Sequence, residues 1–420
     1  MGSRKLKITA VSVGTRGDVE PLIELGTEMI RRGHEFRVAA LEKFRPLAEQ
    51  RQVPFIHLDG DADYFMKLMV TDYRKSTDFV NGYRAFYESV PGIFDQIADA
   101  VKGQDAAFYG TCSFFVRSAC DYHHVTCIRY FFSPFDRTNQ YSLYTDKHNS
   151  PMVGLTYLSA EPGMNMITMQ LMNRWRTEHG LKKWTMFDDY RKQDGKPVLT
   201  FYPVSPVLMP PDPKWGERIH VTGYWYHPEE RMEDDRVPDI REEEKPVFVA
   251  FGKASSPELS LLQERMIRVL TKTGIPAIVQ ADQLTEETRK QAGKNITFIG
   301  TGSYAAIFQK VRAVVHHGGN STNGLGLRAG LPTLVIPLAL DQYYYGRTVH
   351  ELQAGPAPLY IRKRICSEEE LEAALRDLVS GNMMPEQKEY QKNCFLRTVA
   401  GKLRIFWRNI SIFYKEDKES

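Results

Sequence analysis

Val314-Val315-His316-His317-Gly318-Gly319-Asn320-Ser321-Thr322, running on to Arg328-Ala329-Gly330, decides how the rest of this 420-residue chain is read. Four apolar or aromatic residues make a short buried strand, two glycines make a turn, and a helix follows. Asn320 and Ser321 stand where an N-cap belongs, and Gly330 with Pro332 stops the helix. A helix begun on a glycine turn offers free backbone N–H groups and the positive end of its dipole, a site for phosphate. A second strand, Thr333-Leu334-Val335-Ile336-Pro337, follows and delivers Asp341 and Gln342 at its far end. An anion cradle beside a carboxylate and an amide suits a sugar joined to a diphosphate.

Bulk properties narrow the class. The length suits two domains, and an apolar share of 42% with 25% charged residues is that of a soluble globular protein. A net charge of +3 gives no case for nucleic acid. The five cysteines form no CxxC pair, and no signal peptide opens the chain, so a reducing, cytoplasmic setting is expected. No run approaches the roughly 18 apolar residues of a spanning helix.

Outward from the central stretch, the same order recurs at the head of each half. Residues 6–13 read as a buried parallel strand opening into Gly14-Thr15-Arg16-Gly17-Asp18, then a helix over 19–32 with Pro21 in its first turn. Residues 35–40 form the next strand, completing a right-handed β-α-β unit. Further strands fall at 55–58, 106–109, 126–131, 200–209 and 220–225. The stretch 227–245 is acidic, poor in apolar residues and broken by Pro228 and Pro238, the composition of a linker. Residues 246–251 then begin a second strand–loop–helix, with Lys253 in the loop and Pro257 opening the helix; more strands fall at 276–280 and 295–299. The expected architecture is α/β: two Rossmann-like doubly wound domains, 1–227 and 246–395, joined by a linker over 228–245 and facing each other across a cleft. A helix over 396–420 packs back across them. Sheets of this kind bind ligands at their C-terminal strand edges.

Candidate chemistry lies on those edges. Asp18 is placed to take a proton from a hydroxyl, or else is an N-cap; spacing leaves both open. The loop Gly14, Thr15, Arg16 and Gly17 offers backbone N–H groups and a guanidinium to phosphate, as Lys253 does in the second half. His317, beside Gly318 and Gly319, suits a donor to phosphate. A metal at His316-His317 is disfavoured because neighbours on a strand point to opposite faces. Gly300-Thr301-Gly302-Ser303-Tyr304-Ala305 has the form of a dinucleotide fingerprint, but the next strand ends in His-His-Gly-Gly where an acidic residue is needed. Tyr304 is then a candidate to stack on a nucleobase. A methionine- and tryptophan-rich helix over 165–178 reads as core packing or as an apolar acceptor surface.

The chain resembles the GT-B nucleotide-sugar glycosyltransferases, specifically the branch with sterol 3-β-glucosyltransferases and antibiotic aglycone glycosyltransferases. The resemblance lies in Gly14-Thr15-Arg16-Gly17-Asp18-Val19-Glu20-Pro21, Val221-Thr222-Gly223-Tyr224-Trp225, His316-His317-Gly318-Gly319, and Pro337 through Asp341-Gln342 with Gly355-Pro356-Ala357-Pro358 beyond. It implies inverting transfer of a hexose, glucose first, from a UDP-sugar to a hydroxyl of an apolar acceptor. A sterol or related lipid leads. The alternatives are a polyketide or other aglycone taking a UDP- or dTDP-sugar, and a non-catalytic binding or activator subunit. By the resemblance Asp18 is the general base, His317, Gly318 and Gly319 cradle the diphosphate, and Asp341 and Gln342 bind the sugar, with no metal or other cofactor. The partners it implies are the nucleotide sugar and a small acceptor, with no obligate protein partner and a peripheral membrane contact left open. Two departures stand out. Asn320-Ser321-Thr322 replaces the common Ala-Gly-Thr, and Lys253 replaces the usual serine after Phe-Gly.

Overall fold

The computed structural model describes residues 5–69, 76–142, 150–225, 245–252, 257–280, 284–300, 302–338, 341–361 and 364–380. Lys253, nearly all of the expected linker and the expected crossing helix lie outside them.

Seven parallel strands build the first sheet: β1 (Lys7–Ser12), β2 (Glu35–Leu41), β3 (Phe55–Leu58), β4 (Ala106–Tyr109), β5 (Thr126–Tyr130), β8 (Leu199–Tyr202) and β9 (Ile219–Val221), in the order β3-β2-β1-β4-β5-β8-β9. A two-stranded hairpin, β6 (Lys192–Gln193) and β7 (Lys196–Pro197), stands apart. The second sheet, also parallel, contains β10 (Val247–Ala250), β11 (Ala277–Gln280), β12 (Ile296–Ile299), β13 (Ala313–His316) and β14 (Thr333–Val335), ordered β12-β11-β10-β13-β14. Continuous burial explains the unbroken apolar runs: β4, β8, β10, β11 and β13 are buried at every residue.

Strand order fixes where ligands go. In each sheet the order reverses beside its first strand, between β1 and β4 and between β10 and β13. The loop after β1 carries Gly14 to Gly17, and the loop after β13 carries His317 to Gly319. Both candidate stretches therefore sit at switch points, where adjacent crossovers leave in opposite directions and open a crevice.

The two units share packing. The first core takes in Leu327, Val335, Tyr344, Tyr345, Val349 and Ala354 from the second half. The helix Gln342–Glu351 carries much of this: Tyr344 donates to the carbonyl of Leu208, and its ring meets Tyr141 edge-on at 5.2 Å.

Several expectations shift. The first helix runs Arg16–Arg31, three residues earlier than expected, because Thr15 is its N-cap and Asp18 lies inside its first turn. The methionine-rich helix is Pro151–Glu178, not confined to 165–178; Pro151 fits its first position and Ser150 caps it. Strand β8 stops at Tyr202, well short of 209. The helices Ala62–Met69 and Ser76–Ser89 add to the first unit between β3 and β4. Among the described residues no helix is long and apolar enough to cross a membrane.

Candidate functional site

Asp18 is held by the loop that precedes it. Thr15 donates twice to Asp18 Oδ2, from its backbone N at 2.7 Å and from Oγ1 at 2.9 Å. This is the reciprocal arm of a capping box, and it turns the carboxylate back over the loop. Gly14 makes the turn possible: a Cβ there would lie 2.4 Å from Asp18 Oδ2. Among the described residues the hydrogen bonds to this carboxylate all fall on Oδ2, so one oxygen orients the group. Burial raises the Asp18 pKa, and the Thr15 hydrogen bonds offset only part of that.

On the second unit, His316 and His317 diverge as strand neighbours must. His316 is fully buried, and its Nδ1 accepts from the Gly318 N–H at 2.9 Å. His317 is half-buried against the Gly252 and Gly319 backbones, with Nδ1 making no hydrogen bond among the described residues. Burial pushes its pKa down to about 4, against a smaller opposite pull from the Ala250 carbonyl. At neutral pH it is an uncharged imidazole that can offer one N–H. Positive potential at the turn then comes from the start of the helix Asn320–Arg328.

The turn is built for a glycine. Gly318 has φ of +95°, and a Cβ there would meet Val335 Cγ1 at 2.8 Å and the Gln342 carbonyl at 3.1 Å. Asn323, which the sequence reading did not single out, is fully buried; its Nδ2 donates to the Gly318 carbonyl at 2.9 Å and the Gly319 carbonyl at 3.3 Å. Tying both carbonyls to one amide fixes the turn, and with the Gly318 N–H given to His316 the groups left for a ligand start at Gly319. An asparagine four residues after a glycine was the available signal.

Asp341 precedes the helix Gln342–Glu351, and Gln342 Oε1 accepts from the Leu338 N–H at 2.8 Å. Burial pushes the Asp341 pKa up to about 7, and the Asp18 charge adds to the rise. Both aspartates are thus pushed toward their protonated forms, and a charge on Asp18 favours the proton on Asp341.

The two loops meet. A Cβ built on Gly17 would stand 3.9 Å from Ser321 Oγ, so the first turns of two helices, one from each sheet, approach within contact. Asp341 is near enough for the Asp18 charge to act on it, so the two carboxylates share this neighbourhood.

Other expected members are engaged elsewhere. The Arg16 guanidinium forks onto Glu20 at 2.9 and 2.8 Å on an exposed helix face, so the charge expected for phosphate is shared with a carboxylate. Tyr304 donates to Gln280 Oε1 at 2.5 Å and packs edge-on against Phe248 at 5.1 Å, a core role instead of a base platform. Asn320 is not an N-cap. Gly319 is, and the Asn320 Oδ1 position lies 2.7 Å from the Tyr345 hydroxyl. A cavity of about 410 Å³ lined by Asp136, Arg137, Arg191, Lys214 and Trp215 includes none of these site residues.

Residues 8–120 match the Glycosyltransferase family 28 N-terminal domain. A sterol 3-beta-glucosyltransferase from Yarrowia lipolytica is 28% identical over 381 residues, 86% of this chain. The chain spans only 26% of that relative's length. Among solved structures, the glycotransferase of kitacinnamycin aligns at a TM-score of 0.70 and 18% identity, covering 94% of this chain and 96% of its own. The Streptomyces sp. SF2575 glycosyltransferase SsfS6, complexed with thymidine diphosphate, aligns at 0.58 and 17% identity, covering 94% and 96%. The fold is GT-B.

Proposed function

For a chain that carries a family 28 N-terminal domain over residues 8–120 within a GT-B fold, we propose an inverting hexosyltransferase. It moves a sugar, glucose first, from UDP to a hydroxyl of an apolar acceptor, a sterol or related lipid first. The single observation that carries this is the approach of the Asp18 loop to the first turn of the helix Asn320–Arg328, Gly17 against Ser321.

In this mechanism Asp18 Oδ1 takes the proton of the acceptor hydroxyl as its oxygen attacks the anomeric carbon. The bond from that carbon to the diphosphate breaks on the opposite face, and its electron pair leaves on the diphosphate oxygen. The N–H groups that open the helix Asn320–Arg328 and the His317 N–H receive that charge. Asp341 and Gln342 hold sugar hydroxyls. No metal is required. An apolar acceptor is supported by Met152, Leu155 and Leu158, which leave apolar surface exposed along the first turns of the helix Pro151–Glu178. A membrane surface presenting the acceptor would meet the chain there, and the free thiols of Cys112, Cys120, Cys127 and Cys366 suit the cytoplasm.

A dTDP-sugar and a polyketide or other aglycone form the second reading, favoured by the likeness to the thymidine diphosphate complex. Incubation with UDP-glucose or dTDP-glucose, with and without EDTA, followed by assay of free nucleotide, separates the two. Slow hydrolysis of UDP-glucose, insensitive to EDTA and redirected to glucoside by a sterol, is the expected result. No hydrolysis together with no calorimetric binding of UDP overturns the proposal in favour of a non-catalytic relative.

Gly318→Ala tests the cradle. The left-handed backbone costs an alanine about 1–2 kcal/mol, and the Cβ pushes on Val335 and Gln342. A folded variant whose UDP affinity falls at least tenfold is expected in calorimetry. Unchanged affinity would remove the turn from the diphosphate site.

A further inference from the structure

One proton balance across the domain boundary is unresolved by the reaction itself. The Tyr345 hydroxyl, on a fully buried ring, lies within hydrogen-bond reach of two acceptors: the Phe132 carbonyl, just beyond β5 in the first unit, and the Asn320 Oδ1 position at 2.7 Å. A phenol has one proton and cannot serve both. Rotating the Asn320 amide by half a turn exchanges its oxygen and nitrogen with no change of outline, and the hydrogen-bond network decides the orientation. With Nδ2 toward Tyr345, the amide donates to Oη and Oη donates to Phe132. Both contacts are then satisfied, in one direction, at a site where Asn320 is 9% exposed and an unmade bond would be costly.

We propose that Asn320 and Tyr345 form a positioning relay that locks the first residue of the phosphate-facing helix to the acceptor-side unit. Asn320 follows Gly319 directly, so the amide moves with the turn. Tyr345 sits on the helix that begins at Gln342 and docks on the first unit through Tyr344 and Leu208 as well. The relay therefore joins three parts of the site: the glycine turn, the helix behind Asp341, and the segment after β5. It also accounts for a departure in the sequence. The alanine common at this position in the resembled family has no group to offer a tyrosine hydroxyl, whereas asparagine does. The relay deepens the transferase reading and rests on it for its kinetic arm only.

The test uses the full chain with Tyr345→Phe, Asn320→Ala, Asn320→Asp and the Asn320→Ala/Tyr345→Phe pair. Tyr345→Phe removes a single oxygen from a buried ring, so folding is preserved. A positioning role predicts that each single variant lowers kcat for transfer about tenfold, raises the share of UDP-glucose lost to water, and leaves UDP affinity within about threefold. The double variant is expected to be no slower than the worse single one. Asn320→Asp, which has no N–H to give and draws the phenol proton away from Phe132, should be as slow as Asn320→Ala. Additive losses in the double variant, or a wild-type rate for Asn320→Asp, overturn the relay. Should the wild-type chain turn over no nucleotide sugar, the transferase reading fails separately. A thermal-melt cycle of the same variants then decides the relay: a double-variant loss smaller than the sum supports the coupling, and additive losses overturn it.

Discussion

Asp18→Asn is expected to fold, to bind UDP within about threefold of the wild type, and to lose about a thousandfold in turnover, within the 10²–10⁴ range of a general base. The fold survives because the asparagine Oδ1 can accept both hydrogen bonds that Thr15 now donates, at 2.7 and 2.9 Å, so the turn and the helix start keep their geometry. Chemistry does not survive, because the remaining position becomes an N–H₂ that cannot take the acceptor's proton. On the proposed reading nucleotide binding is a separate matter, carried by the other wall. The pH dependence follows in sign. Asp18 must be ionised to act, and burial raises its pKa, so the wild-type rate should fall as pH drops through that raised value. Thr15→Val, which removes the hydroxyl donor that favours the ionised form, should move this acid limb to higher pH. Steady-state rates across pH with isothermal titration of UDP check both. A variant keeping more than a tenth of wild-type turnover would reduce Asp18 to the helix-start role that its bond to Thr15 also permits.

The limits of legibility lie in that same bond. A carboxylate just after a glycine loop looked alike as cap or as base, and the helix start was misplaced by three residues because Thr15 takes the cap and Asp18 the third helical position. The glycine turns themselves were legible, since a strand ending in His-His-Gly-Gly before a helix admits few backbones, and strand order then placed both turns at switch points. Charge was less legible. Arg16 reads as a phosphate ligand until Glu20, one helical turn on, is seen to hold it. Tyr304 reads as exposed until Phe248 and Gln280 are packed around it. The contact of Tyr345 with Phe132, 213 residues earlier, has no periodic signature at all. Local pattern shows which residues share a turn, and burial decides which of them keep a free hand.

Asp341→Asn should stabilise the chain, and more so as pH rises. A carboxyl with an ordinary pKa of 3.8 when unfolded and about 7 when folded binds its proton more tightly in the folded state. Between those values the folded chain holds the extra proton, so stability falls as pH rises through that window and the loss is complete above about pH 7. Each unit is worth about 1.4 kcal/mol, and partial solvent access trims the total to a few kcal/mol at most. Asparagine has the outline of the protonated acid and never ionises, so it escapes the penalty while keeping an N–H and a carbonyl for the sugar. The expected result is a Tm gain that is larger at pH 8 than at pH 5, with turnover reduced by no more than about tenfold, the scale of one lost hydrogen bond. A gain that shrinks with rising pH would mean that Asp341 is ionised in the folded chain at neutral pH. Two adjacent ionised carboxylates would then repel the diphosphate that the glycine turn is proposed to receive.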